Sequence, residues 1–374
     1  MKKLLYVLLF LSITSCSSTE PPTVPIKIIK NADAPFVLKT LVKDIDGVPW
    51  AIKILPDGNF LISLREGALK LFNPKTNALK NIVGVPKVVA ESQGGLLDLA
   101  LHPEFKTNKT IFISFSGKFE SMATTKLASA IYDGEKLTNV KEIFVALPAQ
   151  KTFHHYGSRI AFDKKGHLFL SIGERGQRNL AQDLNAHMGK IIRLNLDGSI
   201  PNDNPFVGKT GYKPEIWSYG HRNPQGLFYD SETDELWVNE HGPKGGDEIN
   251  LVLKAKNYGW PIATYGREYY GPLITENTTL PNVESPRHVW LPSIAPSDLL
   301  IYKSNAISSW KGHFLSGALA LEHLNLVKVQ KGKSVSEERY LTELEERIRS
   351  LAVDSDGRLI IGTDGGMILQ LSAR

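Results

Sequence analysis

Ile54-Leu55-Pro56-Asp57-Gly58-Asn59-Phe60-Leu61-Ile62 is a short apolar run, a turn of Pro, Asp, Gly and Asn, and a second apolar run. Asp and Gly tolerate positive φ and bond the local backbone, so the spacing predicts a tight β-hairpin. The form returns in Phe162-Asp163-Lys164-Lys165-Gly166-His167-Leu168-Phe169-Leu170, in Tyr229-Asp230 to Glu235-Leu236-Trp237-Val238, and in Val353-Asp354-Ser355-Asp356-Gly357-Arg358-Leu359-Ile360-Ile361. Leu101-His102-Pro103-Glu104-Phe105, leading to Ile111-Phe112-Ile113-Ser114, is a longer version. The repeats are unevenly spaced, which argues against a regular solenoid and for blades joined by loops of differing length. From Leu38 onward the chain is therefore read as all-β and radially repeated. Ser334 to Arg349, charged and rich in Glu and Leu, scores as helix by propensity; it is read as a loop leading into a strand.

A chain of 374 residues exceeds most single domains, but a β-propeller grows by adding blades and stays one unit. The 42% hydrophobic and 22% charged content allows a sizeable core. Residues 1–15 carry Lys2 and Lys3 ahead of an apolar run, the layout of a secretory signal too short to span a bilayer. Removing those lysines lowers the formal charge from +5 to +3, which is poor support for nucleic-acid binding. Ile13-Thr14-Ser15-Cys16 resembles a bacterial lipobox, and Cys16, the only cysteine, is expected to be acylated, leaving no thiol chemistry. An uncleaved anchor or a plain signal peptide is the other reading. Residues 16–37 are taken as a lipidated tether and 38–374 as the folded domain. Ser17, where an aspartate commonly marks inner-membrane retention, points to the periplasmic face of the outer membrane or the cell surface.

Gly220-His221-Arg222-Asn223-Pro224-Gln225-Gly226-Leu227, Glu240-His241-Gly242-Pro243-Lys244-Gly245-Gly246-Asp247-Glu248 and Asn257-Tyr258-Gly259-Trp260-Pro261 set polar side chains among glycines and prolines. Close backbone approach and exposed carbonyls suit a binding loop, and oxygen donors suit a hard cation such as calcium; plain hairpin connections are the competing reading. Asp354-Ser355-Asp356-Gly357 lacks the closing Glu of an EF-hand, and Asn202-Asp203-Asn204-Pro205 is broken by proline; both are turns. His154-His155 in a loop is metal-binding, exposed or catalytic. Arg347 and Arg349 alternate along a predicted strand and so share one face, suited to a carboxylate-bearing ligand or to solvent. Arg222 is an ion-pair partner between blades or a stabiliser of negative charge. Trp217, Trp237, Trp260, Trp290 and Trp310 are expected in cores and blade contacts.

These segments, with Gln93-Gly94-Gly95-Leu96 upstream, His155-Tyr156-Gly157-Ser158-Arg159 in the middle and Arg347-Ile348-Arg349 near the end, resemble the soluble quinoprotein glucose and aldose sugar dehydrogenases. The likeness runs in order from about Leu38 to the C-terminus. It implies a six-bladed β-propeller that carries pyrroloquinoline quinone (PQQ) and Ca2+ and oxidises the C1 hydroxyl of aldoses to lactones. By the same resemblance His155 is the general base and Arg222 the partner of charge developing on the cofactor. Gln93, Asn223, Ser293, Arg347 and Arg349 contact the cofactor. The carbonyls of Gly242 and Pro243 bind its calcium, and Glu248 with the Tyr258 carbonyl, helped by Asp247, forms a second calcium site. An ion pair of Asp247 with Lys244 or Lys254 is the alternative. His154, which stands where the glucose enzymes carry an acid, Asn179 and Leu180 line the sugar pocket. Ala320 replaces a lysine that contacts the cofactor in the glucose enzymes, a departure that weakens the expected hold on it. A calcium-containing propeller lactonase and a non-catalytic sugar-binding propeller are the competing functions. Neither the electron acceptor nor the oligomeric state is legible.

Overall fold

The innermost strand of each of six four-stranded sheets faces a shared central channel. A computed structural model describes residues 23–374; the signal segment 1–15 and Cys16 lie outside the described residues. The innermost strands are Pro49–Ile54, Leu96–Leu101, Ile160–Phe162, Pro224–Asp230, Pro296–Ile301 and Ile348–Val353, each neighbouring the next around a ring. The chain is thus an all-β, six-bladed propeller. Every blade is antiparallel within its four strands. Apolar side chains interlock between adjacent blades: one buried cluster joins Leu61 and Leu69 of the first blade to Ile111 and Ile113 of the second. All five hairpins read from the sequence connect the first and second strands of a blade. In the longest, a single turn of helix, Phe105–Asn108, fills the connection. Alternation of direction then places every second-to-third connection, and every link between blades, at the opposite end of the channel. That end carries the site.

The ring is closed by the chain's two ends. Phe36–Val42 adds the outer strand of the sixth blade beside Ile368–Ala373, and buried Phe36 packs against Trp310 and Tyr340. Ile26–Ile28 runs parallel to Glu337–Arg339 as a fifth strand on the fifth blade. The tether assigned to residues 16–37 therefore overreaches: from Ile26 the chain is part of the folded body. Ser334 to Arg349 also differs from its reading as a loop. Lys333–Tyr340 is a strand paired with His323–Gln330, followed by a 3-10 turn at Thr342–Leu344. Cross-strand partners override helical propensity here. Lys328 meets Glu338 at 2.6 Å, and buried Glu337 takes Arg339 at 2.6 Å and Asn325 at 2.8 Å.

Candidate active site

His155 sits on the link between the second and third blades, in a backbone the chain adopts only under tertiary constraint. It has φ 55°, with Ser158 at 92° and Arg175, facing it across the loop, at 59°. Three contacts hold this shape. The His155 N–H donates to Gln93 Oε1 at 2.8 Å; buried Arg175 donates to the carbonyls of His154, Thr152 and Ala123 and stacks on Tyr156 at 3.7 Å; and Gly173 lets the neighbouring loop approach. A Cβ on Gly173 would lie 2.1 Å from the His155 carbonyl oxygen.

The His155 ring makes its Nδ1 contact with Glu174 Oε1 at 2.6 Å. A carboxylate only accepts, so Nδ1 carries the proton and Nε2 presents its lone pair. Burial, then the charges of Arg222, His154 and Arg175, hold the imidazole well below its usual pKa, so it is neutral at neutral pH. Burial pushes the Glu174 carboxyl up, while Arg222, His154 and Arg178 draw it back. His154 meets the His155 ring edge-on at 4.6 Å and lies against Gly176.

Across the mouth, Arg222 forms no ion pair with any described carboxylate, contrary to the inter-blade alternative. It donates to the carbonyls of Gly242 at 2.8 Å and His241 at 3.2 Å, lies 5.3 Å from the Trp260 ring centre, and leaves its buried Nε without a partner. Glu174 Oε2 and Tyr156 Oη are buried and unpartnered in the same way. Arg347 and Arg349 do share a face, and they meet there on one carboxylate, Asp364, through three bonds of 2.7 to 2.8 Å. That acid leaves the pair with one net positive charge. Beside Arg347 and Arg349 lies a cavity of about 270 Å³ bounded also by Trp50, Gln93, Tyr156, Gln225 and His241, while Arg222 lines a small neighbouring cavity with His241, Glu248 and Trp260. A cavity of about 1210 Å³ among the hairpins at the other end contains none of the predicted site residues.

Several predicted positions take other roles. Ser293 donates to Asp247 Oδ1 at 2.9 Å, so its hydroxyl ties two loops together and does not line the cavity. Asn223 is fully buried and accepts from Gln225, which reaches the cavity wall in its place. Leu180 packs into the core between the second and third blades, while its neighbour Asn179 is exposed on the Arg178–Ala181 turn. Ala320 is exposed outside the cavity; the Leu319 carbonyl accepts from Arg347 at 2.9 Å. Trp260 joins the site under Arg222, whereas Trp290 and Trp310 are core. Asp247 makes no ion pair: it accepts from Gly242 N–H, Ser293 O–H and Ala295 N–H, and burial raises its pKa to about 6.

Among the described residues no three His, Cys, Asp or Glu side chains are grouped to hold a metal, so a cation would depend on carbonyl oxygens. The donor set nonetheless fits calcium at one place. Glu240 and Glu248 oppose each other directly across two strands, with one Asn250 amide donating to both at 3.1 Å. Like charges so placed repel; burial, then Glu240, raises Glu248 to about 8. Asn250 Oδ1 is a third buried oxygen without a partner, and Tyr258 lines the small cavity beside them. At the other predicted calcium position the Gly242 carbonyl already accepts from Arg222, and the Pro243 carbonyl stands 3.4 Å from the Ser293 hydroxyl.

Glu174, Tyr156, Glu240, His241 and Asp364 were not singled out from the sequence. Tyr156, Glu240 and His241 lie inside stretches already quoted, and Glu174 had a signal of the binding-loop kind, a charged pair between glycines, Gly173-Glu174-Arg175-Gly176; Asp364 had none of these.

Residues 47–370 match the model of the Glucose / Sorbosone dehydrogenase family. Aldose sugar dehydrogenase YliI of Escherichia coli is 40% identical over 337 residues, covering 87% of this chain and 90% of its own. The apo crystal structure of the soluble aldose sugar dehydrogenase from Escherichia coli superposes with a TM-score of 0.87 at 38% identity, covering 91% of this chain and all of the other. The PQQ-bound aldose sugar dehydrogenase from Streptomyces coelicolor gives 0.75 at 28% identity, with coverage of 91% and 100%.

Proposed function

From the premise that the chain belongs to the glucose/sorbosone dehydrogenase family, we propose that it oxidises the C1 hydroxyl of aldose sugars to lactones using PQQ and calcium. The observation that carries the reading is a Glu174-oriented, neutral His155 near Arg222, a buried guanidinium that pairs with no described carboxylate and helps hold the imidazole neutral. The cavity wall of Gln93, Gln225, Arg347 and Arg349 fits a polar, oxygen-rich ligand that carries a carboxylate. PQQ, when bound, would supply the two-electron acceptor for the hydride of C1, and calcium a Lewis acid.

The chain's own residues do the rest. His155 Nε2 accepts the C1 hydroxyl proton, and the Glu174 carboxylate stabilises the imidazolium that results. Arg222 is preorganised by two carbonyls to face negative charge developing in the cavity. Arg347 and Arg349 present the remaining cation to a carboxylate of the cofactor. Glu248 with Tyr258 would hold one calcium ion, and the Gly242 and Pro243 carbonyls, each with a second lone pair besides the one facing Arg222 or Ser293, would hold that of the cofactor. A lactonase has no use for this cationic set, so the hydrolase reading loses its support.

The test is reconstitution of purified protein with PQQ and Ca2+, followed by aldose-dependent dye reduction. Turnover in the wild type, reduced at least ~100-fold in His155→Ala with cofactor still bound, is expected. A wild type that binds PQQ no better than an unrelated propeller sinks the proposal. Export and acylation at Cys16, with an outer-membrane location, belong to the same reading and rest on the pattern of residues 1–16. Mass spectrometry of membrane-fraction protein should find a diacylated or triacylated Cys16; an unmodified N-terminus there refutes the anchor.

A further inference from the structure

Residues 253–287, between the third and fourth strands of the fourth blade, fold back over the mouth. At the tip, Gly271 N–H donates to the Glu268 carbonyl and Glu268 N–H to the Pro272 carbonyl, both at 2.9 Å, which closes a tight turn. Tyr269 and Tyr270 occupy its two central positions. They are 68% and 82% exposed, the two most exposed large aromatic or aliphatic side chains among the described residues. The turn is held in place from two sides. Arg267 and Lys244 exchange backbone bonds at 3.1 Å, and the Glu268 carboxylate is gripped by both terminal nitrogens of Arg178, at 2.7 and 3.3 Å. Tyr269 Oη stands 3.5 Å from Arg222 Nη2, and both Arg178 and Arg222 lie over the Trp260 ring.

A fixed, solvent-facing aromatic pair beside the arginine of a reaction site has a recognition geometry that folding alone does not require. Tyrosine presents a broad face and a hydroxyl at little entropic cost. At this rim Glu268 neutralises Arg178, and the aromatic faces of Tyr269 and Tyr270 suit the C–H face of an uncharged sugar ring. Taken with the reading of the mouth as a site that oxidises C1, on which this step rests, the direction of the substrate follows. C1 is the reducing end and faces His155; any further saccharide unit extends outward over the lip.

We propose that the Glu268–Pro272 turn is a subsite for the second unit of a reducing oligosaccharide, which stacks on Tyr270 and Tyr269. This chain therefore favours di- and oligosaccharides over the corresponding monosaccharide. Two measurements test it. The first is the ratio of kcat/KM for maltotriose to that for glucose in the reconstituted enzyme. Tyr270→Ala should lower the ratio about fivefold, mostly through KM, and Tyr270→Phe should restore it, as expected for loss and recovery of one stacking face. The second needs no turnover: calorimetric binding of maltitol, a disaccharide alcohol without an oxidisable C1, compared with sorbitol. Tighter binding of maltitol, weakened by Tyr270→Ala, supports the subsite even if no sugar is oxidised, an outcome that would refute the catalytic reading alone. A ratio unmoved by Tyr270→Ala, or maltitol bound no better than sorbitol, overturns the subsite while leaving sugar oxidation untouched.

Discussion

Two charged regions share the central channel and are completed to different degrees. At the mouth, Arg222 Nε, Glu174 Oε2 and Tyr156 Oη are buried without partners. Deeper in, behind Trp50, Arg159 lies 4.2 Å from that ring's centre and has a protein partner on every side. It donates to Asp98 at 3.2 Å and to the Gln225 carbonyl at 3.1 Å, and pairs with Asp298 at 3.4 Å. Asp98 is also reached by Lys53 and by Ile160 N–H, and Asp298 by the N–H groups of Leu299 and Leu351. Those residues come from all six innermost strands, or from their immediate edge, so one network centred on this guanidinium reaches every blade, the first and sixth through the two aspartates. The deeper cluster is complete as folded, whereas the mouth keeps polar atoms that no protein group satisfies.

The sharpest way to break this comparison is to remove each arginine in turn. Arg159→Met leaves two buried aspartates with a partly exposed lysine as their only cation. Losing one partner of a buried pair costs about 3–5 kcal/mol, so urea denaturation of the apoprotein should show a loss of that size. Arg222→Met removes a guanidinium that pairs with no carboxylate, and apoprotein stability should stay within about 1 kcal/mol of wild type. Equal losses for the two variants would mean that the mouth is as much a part of the folded core as the axial cluster, and the distinction would fail.

The same contrast explains what was legible in the sequence. The hairpins are local objects: Pro56-Asp57-Gly58 and Ser355-Asp356-Gly357 announce their turns within a few residues, and they sit at the end of the channel without the chemistry. The site is assembled from second-to-third-strand connections, inter-blade links and the long 253–287 connection folded back beside them. Of the residues that the resemblance named, Gln93, Arg347 and Arg349 line the cavity of about 270 Å³, Arg222 lines the small cavity beside it, and His155 follows Gln93 through a backbone bond. The resemblance did not supply their partners, because the acids that complete them come from other connections: Glu174 for His155, Asp364 for the two arginines, Glu240 opposite Glu248. The misplaced positions share one cause. Whether Ser293, Asn223 and Leu180 turn toward the cavity depends on Asp247, Gln225 and the core between blades, contacts that no local pattern encodes. The Ser334 to Tyr340 strand was missed for the same reason, since its charges are paired across strands.

The smaller, finer test lies within the mouth, at the one acid that orients the base. Glu174→Gln keeps an oxygen to accept from His155 Nδ1 but removes the negative charge, so geometry survives and electrostatics change. The plateau of kcat should fall between ~10- and ~100-fold, about 1.4 to 2.7 kcal/mol of barrier, because the imidazolium formed on proton transfer loses its counter-charge. The pH profile gives the sign. His155 has a folded pKa below its ordinary 6.5, so the wild-type rate holds as pH falls through 6.5 and drops only at the depressed value. The same depression means that its stability contribution is present above 6.5 and is lost as pH falls through the folded value. Removing the carboxylate depresses the imidazole further, and the acid limb should move to still lower pH in the variant. Stability should move the other way from activity. Glu174 has a folded pKa raised by burial, so its charge costs the fold stability that is lost as pH rises past about 4.5. The glutamine carries no such cost, and the variant should melt no lower than wild type at neutral pH. A carboxylate that burdens the fold yet speeds the reaction belongs to the site; a variant that is both slower and clearly less stable would reassign Glu174 to the scaffold, alongside Asp98 and Asp298.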